Sequence, residues 1–302
     1  MQYRSLIPPL TDTIHSLPEE AEFCVLILRN VLFPKKNSCK QLFFLLEYVG
    51  SFSAEGSMSR FFISPDELER GSCVLTGENA DHAKVLRLRV GENVTVSDAM
   101  GRESSGTVVS VGQEYQIEFG APVLSRSEPQ CKVGLFLAYA KADKLEHVVQ
   151  KATELGAASI SFFPSVYCVS RPDAKGARAK VDRAKRICLS AAEQSGRGII
   201  PEIRAFDSYQ AALQAASEAE RFLFLYEGER QLSLGRALAD AKPKTLSLMS
   251  GPEGGFAEEE VAGAVSSGAE ICTLGPRILR CETAPLCALT CALFALGEYD
   301  EY

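Results

Sequence analysis

The chain has 302 residues, 46% of them hydrophobic and 24% charged, the balance of an ordinary globular protein rather than a disordered or fibrous one. Its 32 Lys and Arg against 39 Asp and Glu give a net charge of -7, which excludes a protein that coats nucleic acid by bulk charge but leaves room for a local basic face. Ten cysteines without a C-x-x-C pair, and three scattered histidines (His15, His82, His147), argue for reduced thiols in a cytoplasmic protein and against a disulfide scaffold or a metal site.

Residues 1–57 mix apolar bursts with Pro8-Pro9 and Lys35-Lys36 and end in a small-residue run, Ser51–Ser57. Phe23–Phe33 is interrupted by Arg29 and Leu42–Leu46 ends at Glu47, so neither reaches the ~18 apolar residues of a membrane span. Acids and prolines ahead of the first apolar run do not suit a signal peptide. The segment is expected to be an appendage or the result of a misplaced start codon, with Met58 as the true start; a genuine small extra element is the alternative.

Residues 58–125 alternate short β-type runs with turns: Arg60–Ser64, a Pro65 turn, Cys73–Thr76, Asn93–Ser97, Gly106–Val111 and Tyr115–Phe119. Glycine breaks at 71, 77, 91, 101 and 112 separate them, a pattern that predicts a small β-barrel. Polar Ser125–Pro129 reads as a linker. From 130 to 302 the period changes. Apolar strands are predicted at Val133–Ala140, Ser159–Phe163, near Ile203, and at Phe222–Tyr226, Thr245–Ser250 and Ile271–Leu274. They alternate with helices at Asp143–Leu155, Gly176–Gln194, Ser208–Ala219, Leu232–Ala241, Ala257–Val265 and Ala284–Leu296. Fully apolar strands alternating with helices predict an α/β domain, a parallel sheet covered on both faces.

Two loops carry chemistry. Ser250-Gly-Pro-Glu-Gly-Gly-Phe256 follows a predicted strand and opens a helix whose first turn holds Glu258, Glu259 and Glu260. Its glycines allow close backbone approach to a ligand, at the strand end where α/β folds bind one. Leu274-Gly-Pro-Arg-Ile-Leu-Arg-Cys-Glu-Thr-Ala284 again joins strand to helix, with Thr283 as the expected cap beside Glu282. Ile278 and Leu279 suit a flat ring, and Arg277 or Arg280 an anion. No P-loop, G-x-G-x-x-G, G-x-S-x-G or H-E-x-x-H occurs, which disfavours nucleotide-dependent phosphotransfer and a dinucleotide site. Between residues 170 and 197 eight basic residues stand against three acidic ones, a net +5 that suits a phosphate-binding stripe; His82, Lys84, Arg87 and Arg89 form a smaller cluster. Each is also the composition of a solvated face.

From Met58 onward the chain resembles the bacterial 16S ribosomal RNA uracil-N3 methyltransferases, the ribosomal RNA small subunit methyltransferase E family of the SPOUT superfamily. The likeness rests on Ser59-Arg-Phe-Phe62, His82-Ala-Lys-Val-Leu-Arg87, Lys141-Ala-Asp-Lys-Leu-Glu146, Gln150-Lys-Ala-Thr-Glu-Leu-Gly156, Ala192-Glu-Gln-Ser-Gly-Arg197 and the two late loops. It implies an RNA-binding PUA-like β-barrel over 58–125 and, over 130–302, a methyltransferase domain with a C-terminal trefoil knot. It also implies a homodimer acting on 16S RNA within the small subunit, with no membrane or metal partner. By the same resemblance S-adenosylmethionine would be cradled by Leu225, Ser250, Gly251, Pro252, Glu253, Gly254, Gly255, Leu274, Gly275, Ile278, Leu279 and Thr283. Arg60, His82, Lys84, Arg87, Arg171 and Arg197 are candidates for the RNA path.

The reaction so implied is methyl transfer to N3 of a uridine, for which an arginine, Arg280 or Arg197, stabilises the uridine anion while Glu282 orients the loop or accepts the proton. The sequence departs from the family in residues 1–57 and in Cys281, where threonine is common. Alternatives are an RNA-binding or assembly protein without catalysis, and a methyltransferase of the same superfamily with another RNA target.

Overall fold

The computed structural model describes residues 58–229, 231–239 and 241–300; the extension expected over residues 1–57 lies outside the described residues. The described residues from 59 to 300 form one compact unit containing two six-stranded sheets.

The first sheet is made of β1 (Ser59–Phe62), β2 (Ser72–Leu75), β3 (Asn93–Ser97), β4 (Arg102–Val111), β5 (Tyr115–Phe119) and β6 (Val123–Leu124). Its order is β1-β3-β4-β5-β2, with β6 on the start of β4; only β1 and β3 run parallel. Phe61, Val94, Val96, Val108 and Ile117 are fully buried and form its core with Leu68 and Leu75. Two helices stand where only turns were predicted, α1 (Pro65–Arg70) and α2 (Gly77–Val85). Pro65, read as a turn, is the first helical residue, a position that needs no backbone N–H. Ser64 Oγ accepts from the Glu67 amide while the Glu67 carboxylate accepts from the Ser64 amide, a reciprocal cap that starts the helix. Gly71 ends it at φ 74°.

The second sheet comprises β7 (Lys132–Ala138), β8 (Ser159–Phe163), β9 (Glu202–Ala205), β10 (Arg221–Leu225), β11 (Thr245–Ser250) and β12 (Glu270–Cys272). Every pairing is parallel, in the order β12-β10-β11-β7-β8-β9. The helices are α3 (Ala142–Leu155), α4 (Ala174–Ser195), α5 (Tyr209–Ala216), α6 (Leu234–Leu238), α7 (Glu258–Ser266) and α8 (Ala284–Ala295). Alternate residues of the inner strands enter opposite cores, which is why those strands read as nearly unbroken apolar runs, whereas edge strand β9 exposes Glu202 and Arg204. In β10, Leu223 and Leu225 join a core with Val148, Val149, Leu289 and Leu293, whereas Phe222 and Phe224 join Phe136, Phe163, Leu213 and Met249. The helix expected over 232–241 shrinks to the five residues of α6.

The sheets meet at the C-terminal end of α4. Met100 bridges to Ile199, and the Gly198 carbonyl accepts from the Gly101 amide (3.2 Å) and Ser97 Oγ (3.0 Å). Glu128, in the segment read as a linker, accepts from the amides of Gly198 (2.8 Å) and Ile199 (3.0 Å). That segment is therefore a clasp. No described helix is long and apolar enough to cross a membrane.

Candidate functional site

The strand order β12-β10-β11 places three loops side by side at the C-terminal ends of parallel strands, the usual ligand position of such sheets. Together with Lys144 of α3 they enclose a cleft of about 710 Å³, within the roughly 300–1,000 Å³ common for small-molecule sites. The loop after β11 contributes residues 250–253, 255 and 256, and the loop after β12 contributes 272–281. The end of β10 supplies Leu225, Tyr226 and Glu227 as the wall between them.

The first loop is bent by Gly255 (φ 71°), whose amide closes a turn on the Pro252 carbonyl at 3.0 Å. A β-carbon at Gly255 would lie 2.5 Å from a Glu227 oxygen, and one at Gly251 3.0 Å from the Phe256 ring, so a side chain there would displace Glu227 or press on Phe256, both part of the cleft wall. Phe256 anchors the loop in the core, 4.2 Å from Phe224 and stacked on Phe163. The second loop turns at Gly275 (φ 104°), whose amide donates to Thr273 Oγ1 at 3.2 Å. It re-enters helix through bonds from the Thr283 and Ala284 amides to the Arg280 carbonyl. Between those turns Ile278 is 87% exposed and Leu279 half-buried, an apolar edge above the cleft.

Of the residues predicted to hold a cofactor, Leu225, Ser250, Gly251, Pro252, Glu253, Gly255, Leu274, Gly275, Ile278 and Leu279 line the cleft. Gly254 and Thr283 do not. Gly254 turns away onto Tyr167, and the Thr283 hydroxyl makes no cap, because the residue is already helical (φ -90°, ψ -40°). Tyr226, Glu227 and Lys144 also line the cleft and were not singled out in the sequence. The first two follow from the position of β10 between β11 and β12, and the third belongs to the Lys141–Glu146 block without an assigned role.

Lys144 ties the loops together. Its Nζ lies 3.4 Å from Glu253 in the first loop, 3.2 Å from Glu282 in the second and 3.7 Å from Cys281 Sγ. Glu282 above all raises the Lys144 pKa, against the burial that lowers it. Burial works to raise the Glu282 carboxyl, but its own amide, the Cys281 thiol and Lys144 hold it below the ordinary carboxylate range. Through this pair Glu282 ties the second loop to α3. Burial, reinforced by Glu282, pushes the Cys281 thiol up to about 11.

Two predicted positions are buried in ion pairs, and a third is half-buried. Arg197, expected at the reaction or on the RNA path, is 3% exposed and absent from the cleft wall. Its guanidinium grips Glu128 (2.5 Å) and the carbonyls of Thr153 (3.1 Å) and Ala157 (2.6 Å). Arg60 is buried against Glu103 at 2.8 Å. His82 lies between Phe61 (5.4 Å) and Glu193 (3.4 Å) at the junction of α2 and α4. Arg60 and Arg197 thus hold the interior, while His82 is half-buried at that junction. By contrast Lys84, Arg87, Arg171 and Arg280 are exposed, and Arg280 forms no ion pair among the described residues while standing on the cleft wall. Exposed Lys175, Arg178, Lys185 and Arg186 make α4 a basic stripe. No group of three His, Cys, Asp or Glu among the described residues could hold a metal ion.

Residues 126–293 match a family described as an RNA methyltransferase domain. A ribosomal RNA small subunit methyltransferase E from Bacillus subtilis is 34% identical over 246 residues, covering 77% of this chain and 95% of that protein. The enzyme of the same name from Mesomycoplasma hyopneumoniae is 31% identical, covering 77% and 98%. The crystal structure of a ribosomal RNA small subunit methyltransferase E from Neisseria gonorrhoeae bound to S-adenosyl methionine is 30% identical with a TM-score of 0.70, covering 78% of this chain and 97% of that one.

Proposed function

The chain belongs to the ribosomal RNA small subunit methyltransferase E family, and on that premise we propose that it methylates N3 of a uridine in the 16S RNA of the small ribosomal subunit, using S-adenosylmethionine. The observation that carries this is the cleft itself, built by three loops at adjacent strand ends with glycines where a side chain would strike Glu227 or Phe256 of its wall.

The cleft fits the cofactor. Leu225, Leu274 and Leu279 offer apolar contact to a flat base, and Gly251 and Gly255 let backbone groups approach a ribose. When bound, S-adenosylmethionine supplies a methyl group already activated on a sulfonium, so the protein's task is to position and to manage charge. Uridine N3 carries a proton; once that proton passes to solvent, N3 is an anion whose lone pair can act as the nucleophile. Arg280, on the cleft wall and without a carboxylate partner among the described residues, is placed to stabilise that anion. Lys144 and Glu282 hold the loop that carries Arg280. Arg171, Lys84, Arg87 and the α4 stripe supply the phosphate contacts.

Three further features belong to this reading. The first sheet, over 58–125, closes as a PUA-like RNA-binding barrel, and 130–302 forms the methyltransferase domain. The C-terminal segment is threaded as a trefoil knot, in keeping with β12 at the sheet edge and α8 packed back on α3, β7 and β11. The protein acts as a homodimer in the cytoplasm. An apolar helix that leaves Phe294 and Cys291 exposed suits a second copy.

The test is methyl transfer from labelled S-adenosylmethionine to small subunits lacking the modification, read by nucleoside mass spectrometry. The expected product is 3-methyluridine. No incorporation with intact subunits and active cofactor would return the chain to the non-catalytic RNA-binding alternative.

A further inference from the structure

Resting on the reading of this protein as an RNA methyltransferase, we propose that Tyr167 is a stacking platform for an unpaired base of the substrate RNA beside the cofactor cleft. Tyr167 lies in the loop between β8 and α4, where it is 51% exposed, with Val166 (51%) and Val169 (74%) also turned outward. Soluble proteins seldom gather outward apolar side chains on one loop unless that loop makes a surface.

The base of the loop is fixed. Glu260, buried in α7, accepts from Ser165 Oγ and from the Val166 amide, both at 3.0 Å. From the other side the Arg171 guanidinium donates to the carbonyls of Ser165 (3.0 Å) and Val166. A ring held out from so tied a backbone loses little freedom on meeting a partner.

Position and charge select the partner. A β-carbon added at Gly254 would lie 2.8 Å from Tyr167 Cβ and 3.3 Å from its carbonyl oxygen, so the tyrosine backs directly onto the loop that forms the cleft. Toward the C-terminus the same loop runs into α4, whose exposed Lys175 and Arg178 belong to the +5 stretch of residues 170–197. An aromatic face flanked by apolar side chains and followed by cations matches an unpaired base and its phosphates, the combination by which proteins hold single-stranded RNA.

The sequence contains no tryptophan, so Tyr167→Trp places a single indole at the platform. Titrated with a short uridine-rich single-stranded RNA in the absence of cofactor, that protein should lose fluorescence as the base stacks. Tyr167→Ala should weaken binding of the same RNA about 5- to 100-fold, the range for losing one stacked base, and Tyr167→Phe should restore it to within about twofold. Unquenched indole with unchanged affinity in Tyr167→Ala overturns the proposal. So does a Tyr167→Ala protein that binds RNA normally but sediments as a smaller species, since a second copy would then cover the ring. Quenching of Tyr167→Trp by RNA, while the unsubstituted protein transfers no methyl group to small subunits, would refute the methyltransferase reading and leave the platform standing.

Discussion

At the junction of the two sheets Arg197 is 3% exposed, with Glu128 and two main-chain carbonyls around it. At the cleft Lys144 is 21% exposed, with Glu253 and Glu282 of two loops beside it. Both clusters set one cation against carboxylates from distant parts of the chain. They differ in what the cation touches: fixed main chain at the junction, loops open to water at the cleft. The first geometry has one arrangement and secures the fold. The second can loosen without unfolding anything, and so shapes a site that must admit and release a ligand.

The sharpest way to break this contrast is Arg197→Met. It strands the Glu128 carboxylate among buried groups, and removing one partner of a buried pair costs about 3–5 kcal/mol. Urea denaturation should show a loss of that size, with affinity for S-adenosylhomocysteine in the folded protein unchanged. A loss below about 1 kcal/mol would mean that the junction is held without the clasp.

Arg280→Ala is the mirror experiment. Arg280 is exposed and has no ion-pair partner among the described residues, so denaturation should scarcely register the change. Turnover should fall roughly 100- to 1,000-fold, the usual result of deleting a group that stabilises developing charge, with cofactor affinity retained. Equal turnover would remove Arg280 from the reaction.

An intermediate effect is expected at Lys144. Lys144→Met should weaken S-adenosylhomocysteine binding about tenfold, about 1.4 kcal/mol by the usual conversion, and raise hydrogen exchange in residues 250–256 and 274–283 alone. The latch also has a pH signature. Glu253 and Glu282 both titrate below the ordinary value of 4.5, so their contribution is complete above that pH and is lost as pH falls through the lowered values. Cofactor affinity should hold from neutrality to about 4.5 and then drop, and in Lys144→Met the drop should begin at higher pH. Exchange that rises throughout the domain instead would make Lys144 an ordinary structural residue.

How much of this was legible in the sequence follows from the kind of signal each part carries. Ser159–Phe163 and Thr245–Ser250 were placed residue for residue because both faces of each strand are buried and the apolar run ends where the strand does. Helices α1 and α2, six and nine residues long, are too short for a 3.6-residue period to register, although the Ser64–Glu67 cap was there to be read. The glycine loops announced a ligand site, but Tyr226 and Glu227 enter it through strand order, which no local pattern encodes. Arg60 and Arg197 looked like Arg280 in the sequence, because pattern gives a residue's charge and not its partner. The carboxylates that claim them, Glu103 and Glu128, lie 43 and 69 positions away.

The same contrast can be sharpened at its smallest scale, in the residues that start a helix in each region. Asp173 begins α4, which ends at the junction, and its carboxylate accepts from the Gly176 amide at 2.7 Å. Thr283 begins α8 at the cleft without a side-chain bond, since the Arg280 carbonyl already receives the Thr283 and Ala284 amides. Asp173→Ala should therefore cost about 1 kcal/mol in denaturation, the typical worth of an N-cap, and Thr283→Ala less than about 0.5 kcal/mol. If Thr283→Ala lowered cofactor affinity at constant stability, its hydroxyl would belong to the ligand rather than to the helix. That would add the Thr283 hydroxyl to a cleft wall that already reaches Ala284, the first residue of α8.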